Sequence, residues 1–175
     1  MSYKVVKLSA MSGVIALVGV LAIHVSGQAV ATPASAGFVT EILGRSFFEQ
    51  IRVSTAHGDD DEATVNLVKI LAKDPSDVYV ARNTVAPGAN SGWHSHPGPS
   101  VVLVTSGTAS VYEGDDPACT PVTYPAGTGF IDAGGTHVHL VRNAGAAPLV
   151  TVAFQIIPTG VARRIDAANP GYCQF

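Results

Sequence analysis

Little of this chain is charged. Only 13% of its 175 residues are Asp, Glu, Lys or Arg, and 13 acidic against 10 basic residues leave a net charge of −3. The sole adjacent basic pair is Arg163-Arg164. The clustered cations that bind a phosphate backbone are therefore lacking, and nucleic acid is not an expected partner. Disorder is excluded as well, because Gly (18) and Pro (11) stay well below low-complexity levels and 47% hydrophobic residues can fill a core. Also missing are a Gly-x-Ser-x-Gly elbow, a phosphate-binding Gly-x4-Gly-Lys loop and a dinucleotide fingerprint, which sets aside serine hydrolases and nucleotide-binding folds. No internal repeat is present, and the length fits one compact domain.

Charge is scarcest at the N-terminus. Residues 1–36 hold only Lys4 and Lys7, followed by the apolar stretch Val14 to Val25, which reads as a secretory signal peptide. Small residues stand where a peptidase would need them, at Ala29-Val30-Ala31 before Thr32 or at Ala34-Ser35-Ala36 before Gly37. The competing reading is an uncleaved anchor, since the uncharged run continues to Val39, although Gly13, Gly19, His24 and Gln28 dilute it. The expected location is secreted or extracytoplasmic, in the cell envelope, with membrane contact only if the leader is retained. Loss of the leader leaves 13 acidic against 8 basic residues, a soluble and mildly acidic domain. The two cysteines, Cys119 and Cys173, both lie in the exported part, where thiols tend to pair. A Cys119–Cys173 disulfide would tie a C-terminal tail at 161–175 to the body and stabilise it by about 4 kcal/mol. Two buried unpaired thiols are the alternative.

After the leader, residues 37–64 mix apolar and charged residues without a clear period and read as an N-terminal extension. Asp59, Asp60, Asp61 and Glu62 are consecutive, unlike the alternating carboxylates of a calcium loop, so a solvated turn with a surface His57 is expected. From Val65 the pattern changes to short β-rich runs: Val65–Ala72, Val78–Val85, Val101–Thr105, Thr108–Tyr112, Gly129–Ile131, His137–Arg142 and Leu149–Ile157. Glycine- and proline-bearing turns separate them. Strands so spaced predict an all-β sandwich or barrel over 65–160.

Four histidines occur as two His-x-His pairs, His94-Ser95-His96 and His137-Val138-His139. Residues two apart on a strand share a face, so each pair can aim both rings into one cavity and offer neutral nitrogen ligands to a metal. The first pair sits in Gly88-x5-His94-x-His96-x3-Ser100-x6-Gly107, and the second region ends in His139-x3-Asn143. These segments resemble the two motifs of the cupins, small jelly-roll barrels built as double-stranded β-helices. Two departures stand out: Ser100 occupies the position of the family's Glu, and the proline usual in the second motif's turn is absent.

The resemblance implies that His94, His96 and His139 coordinate one divalent metal, be it iron, manganese, nickel, copper or zinc. His137 shares the strand face with His139 and is a candidate fourth ligand or a donor behind the ligands. Replacement of Glu by Ser100 removes the only anionic ligand, so a bound metal keeps its full charge and draws anionic substrates more strongly. Ser100 has the parity of His94 and His96, which would let it hold a water or a substrate oxygen. No carboxylate inside the motifs offers a general base except Asp132, in the turn. Arg82 is expected at the surface, Arg142 on the strand face opposite His139, and most of the aromatics in packing roles.

Two functions follow as expectations. One is a metal-dependent oxygenase or isomerase of a small anionic metabolite, with Ser100 and His137 as catalytic candidates. The other is a non-catalytic barrel that holds a small ligand or metal, the loss of Glu having weakened or abolished a metal site. The resemblance also raises a homodimer.

Overall fold

The computed structural model describes residues 30–55 and 68–175. The expected leader thus lies outside the described residues as far as position 29, and His57 and the acidic run 59–62 lie outside them altogether. No described helix is long and apolar enough to cross a membrane. The described chain is all β: β1 (Phe38–Phe48), β2 (Ile51–Ser54), β3 (Lys69–Ala72), β4 (Ser76–Val85), β5 (His94–Ser95), β6 (Ser100–Ser106), β7 (Thr108–Glu113), β8 (Val122–Pro125), β9 (Gly129–Asp132), β10 (His139–Arg142), β11 (Leu149–Pro158) and β12 (Ile165–Asp166). They form two five-stranded antiparallel sheets, ordered β1-β4-β11-β6-β9 and β12-β5-β10-β7-β8, with a β2-β3 ribbon beside them.

Alternation along each strand decides what faces inward. On β11 Leu149, Thr151, Ala153, Gln155 and Ile157 are all buried, while Phe154 between them is exposed. On β6 Ser100, Val102 and Val104 turn inward, and Val101 and Leu103 outward. The first sheet contributes Val85, Val104 and Leu149 to an apolar core, and the second contributes Ala109, Val111 and Val141. Outside the second sheet, Trp93, Tyr112 and Leu140 are covered by the C-terminal tail, whose Cys173 is bonded to Cys119 with the Cα atoms 5.4 Å apart.

Three boundaries differ from the sequence-based expectation. The segment taken as an extension over 37–64 contains β1, which pairs with β4 from Phe38↔Val85 to Phe48↔Ser76 and so belongs to the first sheet. Nearly every residue of this edge strand is exposed, so it lacks the alternation that marks a half-buried strand. The tail also enters a sheet, because β12 pairs with β5. In the second motif the strand begins at His139 rather than His137.

Candidate metal site

The first motif's loop is braced before it reaches its histidines. The Trp93 N–H donates to Thr32 Oγ1 at 2.9 Å, and Ser35 Oγ accepts from Asn90 N at 2.9 Å and donates to Asn90 O at 3.0 Å. Gly92 lies so close to the Thr32 and Pro33 carbonyls, at a φ of +66°, that no side chain fits there. The next inward-facing residue is His94.

His94 lies opposite His139 in the β5–β10 ladder, and His96 follows two residues on. All three are buried, their ring centroids are 4.4–5.8 Å apart, and one nitrogen from each lies within 4.8 Å of the others. A carbonyl sets the tautomer of two of them. His94 Nδ1 donates to Gly92 O at 2.9 Å and His96 Nδ1 to Arg163 O at 2.6 Å, which leaves Nε2 of each as a lone-pair donor. Burial pushes the pKa of His94 well down and that of His96 down, and it carries His139 to about 4 despite the opposing charge of Asp132. Neutral imidazoles are what a metal needs. The donor set therefore fits a divalent ion, with His94, His96 and His139 as its holders.

Across the cavity the first sheet presents a polar row. Ser100 is register partner to Gln155 on one side and to Asp132 on the other. Gln155 Nε2 donates to Ser100 Oγ at 2.8 Å, and Gln155 Oε1 accepts from the Arg163 guanidinium at 2.6 Å. Arg164 reaches the same cavity and donates to Ser91 O and Asp166 Oδ1, both at 2.6 Å. Arg163 has no carboxylate partner among the described residues. Burial, then the neighbouring Arg164 charge, pushes its pKa down. The enclosed space is about 50 Å³, room for a ligand of few atoms.

His137 adjoins this trio, its ring stacked on that of His139 at 5.7 Å, and Asp132, His137 and His139 form a second group whose atoms could hold a metal. His137 Nε2 faces Glu113 Oε2 at 2.5 Å and its Nδ1 faces Asp132 Oδ1 at 3.1 Å. Burial lowers its pKa, but the two carboxylates outweigh burial and leave it raised. Both ring nitrogens thus face carboxylates, which compete with a metal for His137. Arg82 is exposed beside Glu41, and Arg142 stacks on the Phe175 ring with its Cζ 4.6 Å from the centroid; neither enters the cavity.

Residues 81–154 match the cupin domain family model. The matched cupin segment runs from within β4 to within β11 and contains the three histidines and Ser100, whereas β1, Arg163 and Arg164 fall outside it. The fold is a cupin jelly roll. Among solved structures, a protein with a double-stranded β-helix domain from Klebsiella pneumoniae is 22% identical, with 68% of this chain and 84% of that one aligned at a TM-score of 0.44. An oxalate oxidase is 23% identical over 47% of this chain and 46% of its own, at 0.40. A DMSP lyase from Ruegeria pomeroyi is 16% identical over 50% and 42%, at 0.43. No curated protein matches the chain.

Arg163, Gln155 and the buried part of Asp132 were not singled out by sequence reasoning. Gln155 carried a signal, being the one large polar residue in the inward series of β11. Arg163 carried none, since no periodicity extends beyond that strand.

Proposed function

We propose that this chain is an exported cupin, that it binds one divalent metal through His94, His96 and His139, and that it acts on a small carboxylate-bearing metabolite by oxygenase or isomerase chemistry. The observation that carries this reading is the juxtaposition of three buried imidazoles, two of them tautomer-fixed by backbone carbonyls, with Arg163, a guanidinium that lacks a carboxylate partner among the described residues. When bound, the metal supplies Lewis acidity and open coordination positions. The chain's own residues do the rest. Arg163 offers a charge-assisted fork to a carboxylate, held in place by Gln155. Ser100 and Gln155 form a polar wall against which a substrate oxygen can be oriented.

A second reading, a non-catalytic binder of the same ligands, is favoured by one feature: the Ser100 hydroxyl already accepts a hydrogen bond from Gln155, and no general base other than Asp132 lines the cavity. Location outside the cytoplasm accords with the disulfide. Cleavage before Thr32 would keep the Thr32 and Ser35 braces, whereas cleavage before Gly37 would remove both. A second copy of the chain is the proposed cover for the outward row Phe154, Val101 and Ile131, which is 42%, 43% and 73% exposed.

The test is metal analysis of the full-length protein from its native compartment beside the His94→Ala/His96→Ala variant. About one equivalent of metal in the wild type and none in a folded variant is expected. Equal metal content in the two removes the site assignment. Turnover or oxygen uptake with small carboxylates then separates the enzyme from the binder.

A further inference from the structure

We infer that Asp132 is a positioning residue for His139 and supplies, from behind that ligand, the negative charge that Ser100 does not. This rests on the metal reading above. His139 differs from the other two histidines in its Nδ1, which is buried without a hydrogen-bond partner. Asp132 Oδ2 is buried and unpartnered as well, although Oδ1 is engaged by Gly134 N at 3.0 Å and by His137 Nδ1 at 3.1 Å. The two groups belong to neighbouring side chains: His139 Nδ1 lies 3.9 Å from Oδ1 of the same carboxylate, and the side chains are 4% and 2% exposed.

Elementary imidazole chemistry links them. A neutral ring that gives Nε2 to a metal carries its proton on Nδ1 and must donate it, and the Asp132 carboxylate, with Oδ2 unpartnered, is an acceptor that a side-chain shift of less than an ångström would bring into hydrogen-bond range. Gly92 O, Arg163 O and Asp132 would then anchor the three Nδ1 atoms, two by carbonyl and one by carboxylate. The carboxylate makes His139 the strongest electron donor of the three. Its place in the fold is telling, because Asp132 is the direct register partner of Ser100, one strand away from the position that would otherwise carry the charge.

The experiment titrates the full-length, metal-stripped protein with Zn²⁺ and Co²⁺ and follows Co²⁺ by its visible spectrum. Asp132→Asn, which can still accept from Gly134 N, should weaken affinity by about 10–100-fold and shift the Co²⁺ bands. Adding Ser100→Glu to that variant should recover most of the loss by placing a carboxylate on the facing strand position. Affinity of Asp132→Asn within about threefold of wild type, or no recovery in the double variant, overturns the inference. If Asp132→Asn does not fold, Ser100→Glu alone decides: with charge already supplied it should tighten binding less than about threefold, and a gain beyond about tenfold overturns the inference. A wild-type protein that takes up neither ion overturns the metal site together with this role, whereas tight wild-type binding with an unaffected Asp132→Asn overturns the role alone.

Discussion

The two ends of the barrel interior are made by the same strands and differ only in what the inward positions carry. On β11 the series runs from Leu149 at one end to Gln155 at the other, on β6 from Val104 to Ser100, and on β10 from Val141 to His139. One end closes over a dry cluster of Val85, Ala109, Val111 and Leu149. At the other end most buried polar groups have a partner, through Gln155, Gly92 O and Arg163 O, and the exceptions there among the described residues are His139 Nδ1, Asp132 Oδ2 and Glu113 Oε2. Backbone alternation thus selects the inward positions throughout, while residue type divides stability from chemistry along the axis. Hydrogen bonding makes the polar end tolerable.

That division can be broken at either end. The largest effect on folding is expected at the dry end: Leu149→Ala opens a cavity at a fully buried site and should cost about 2–5 kcal/mol in denaturant titration, with metal stoichiometry unchanged. Loss of metal binding in the folded variant would show that the two ends are mechanically one. A smaller effect is expected from Arg163→Gln at the polar end, where loss of a charge-assisted bond should weaken binding of a small dicarboxylate to the metal-loaded protein by about 10–100-fold in calorimetry, equivalent to roughly 1.5–3 kcal/mol. Unchanged affinity would place the anion elsewhere.

Sequence and structure agree best where spacing alone decides direction. Strand parity put His94, His96, Ser100 and His139 on inward faces, and the glycines flanking the first motif marked its turns. The edge strand β1 was illegible because exposure on both faces erases the alternating pattern. Arg163 was illegible for another reason: it follows the last long strand, and its direction depends on β12 pairing with β5, a contact between residues about seventy positions apart. His137 shared strand parity with His139 in the sequence and stacks on its ring at 5.7 Å, yet it lies before β10 begins, and its nitrogens face Glu113 and Asp132, carboxylates from other strands that parity did not reveal.

The finest contrast lies between His137 and His139, two residues apart, stacked on each other and both facing Asp132 Oδ1. In the metal-free protein His139 has its pKa lowered by burial from 6.5 to about 4. The unfolded chain therefore binds a proton that the folded chain refuses, and this contribution to stability is whole above about pH 6.5 and lost as pH falls toward 4. His94 and His96 are lowered too and add to the same loss. His137 runs the other way: raised by its two carboxylates against burial, it contributes stability that is whole below about pH 6.5 and lost as pH rises through its folded value. Because its side chain is 40% exposed, solvent screening keeps that contribution small. Ring-proton NMR should therefore show His137 titrating above 6.5 and His139 well below it, with Glu113→Gln lowering the former and leaving the latter in place. Coincident titration near 6.5 would remove the contrast. Three buried imidazoles against one half-exposed imidazolium make the acid-side loss dominate, so the metal-free barrel should be most stable above pH 6.5 and should weaken steadily below it.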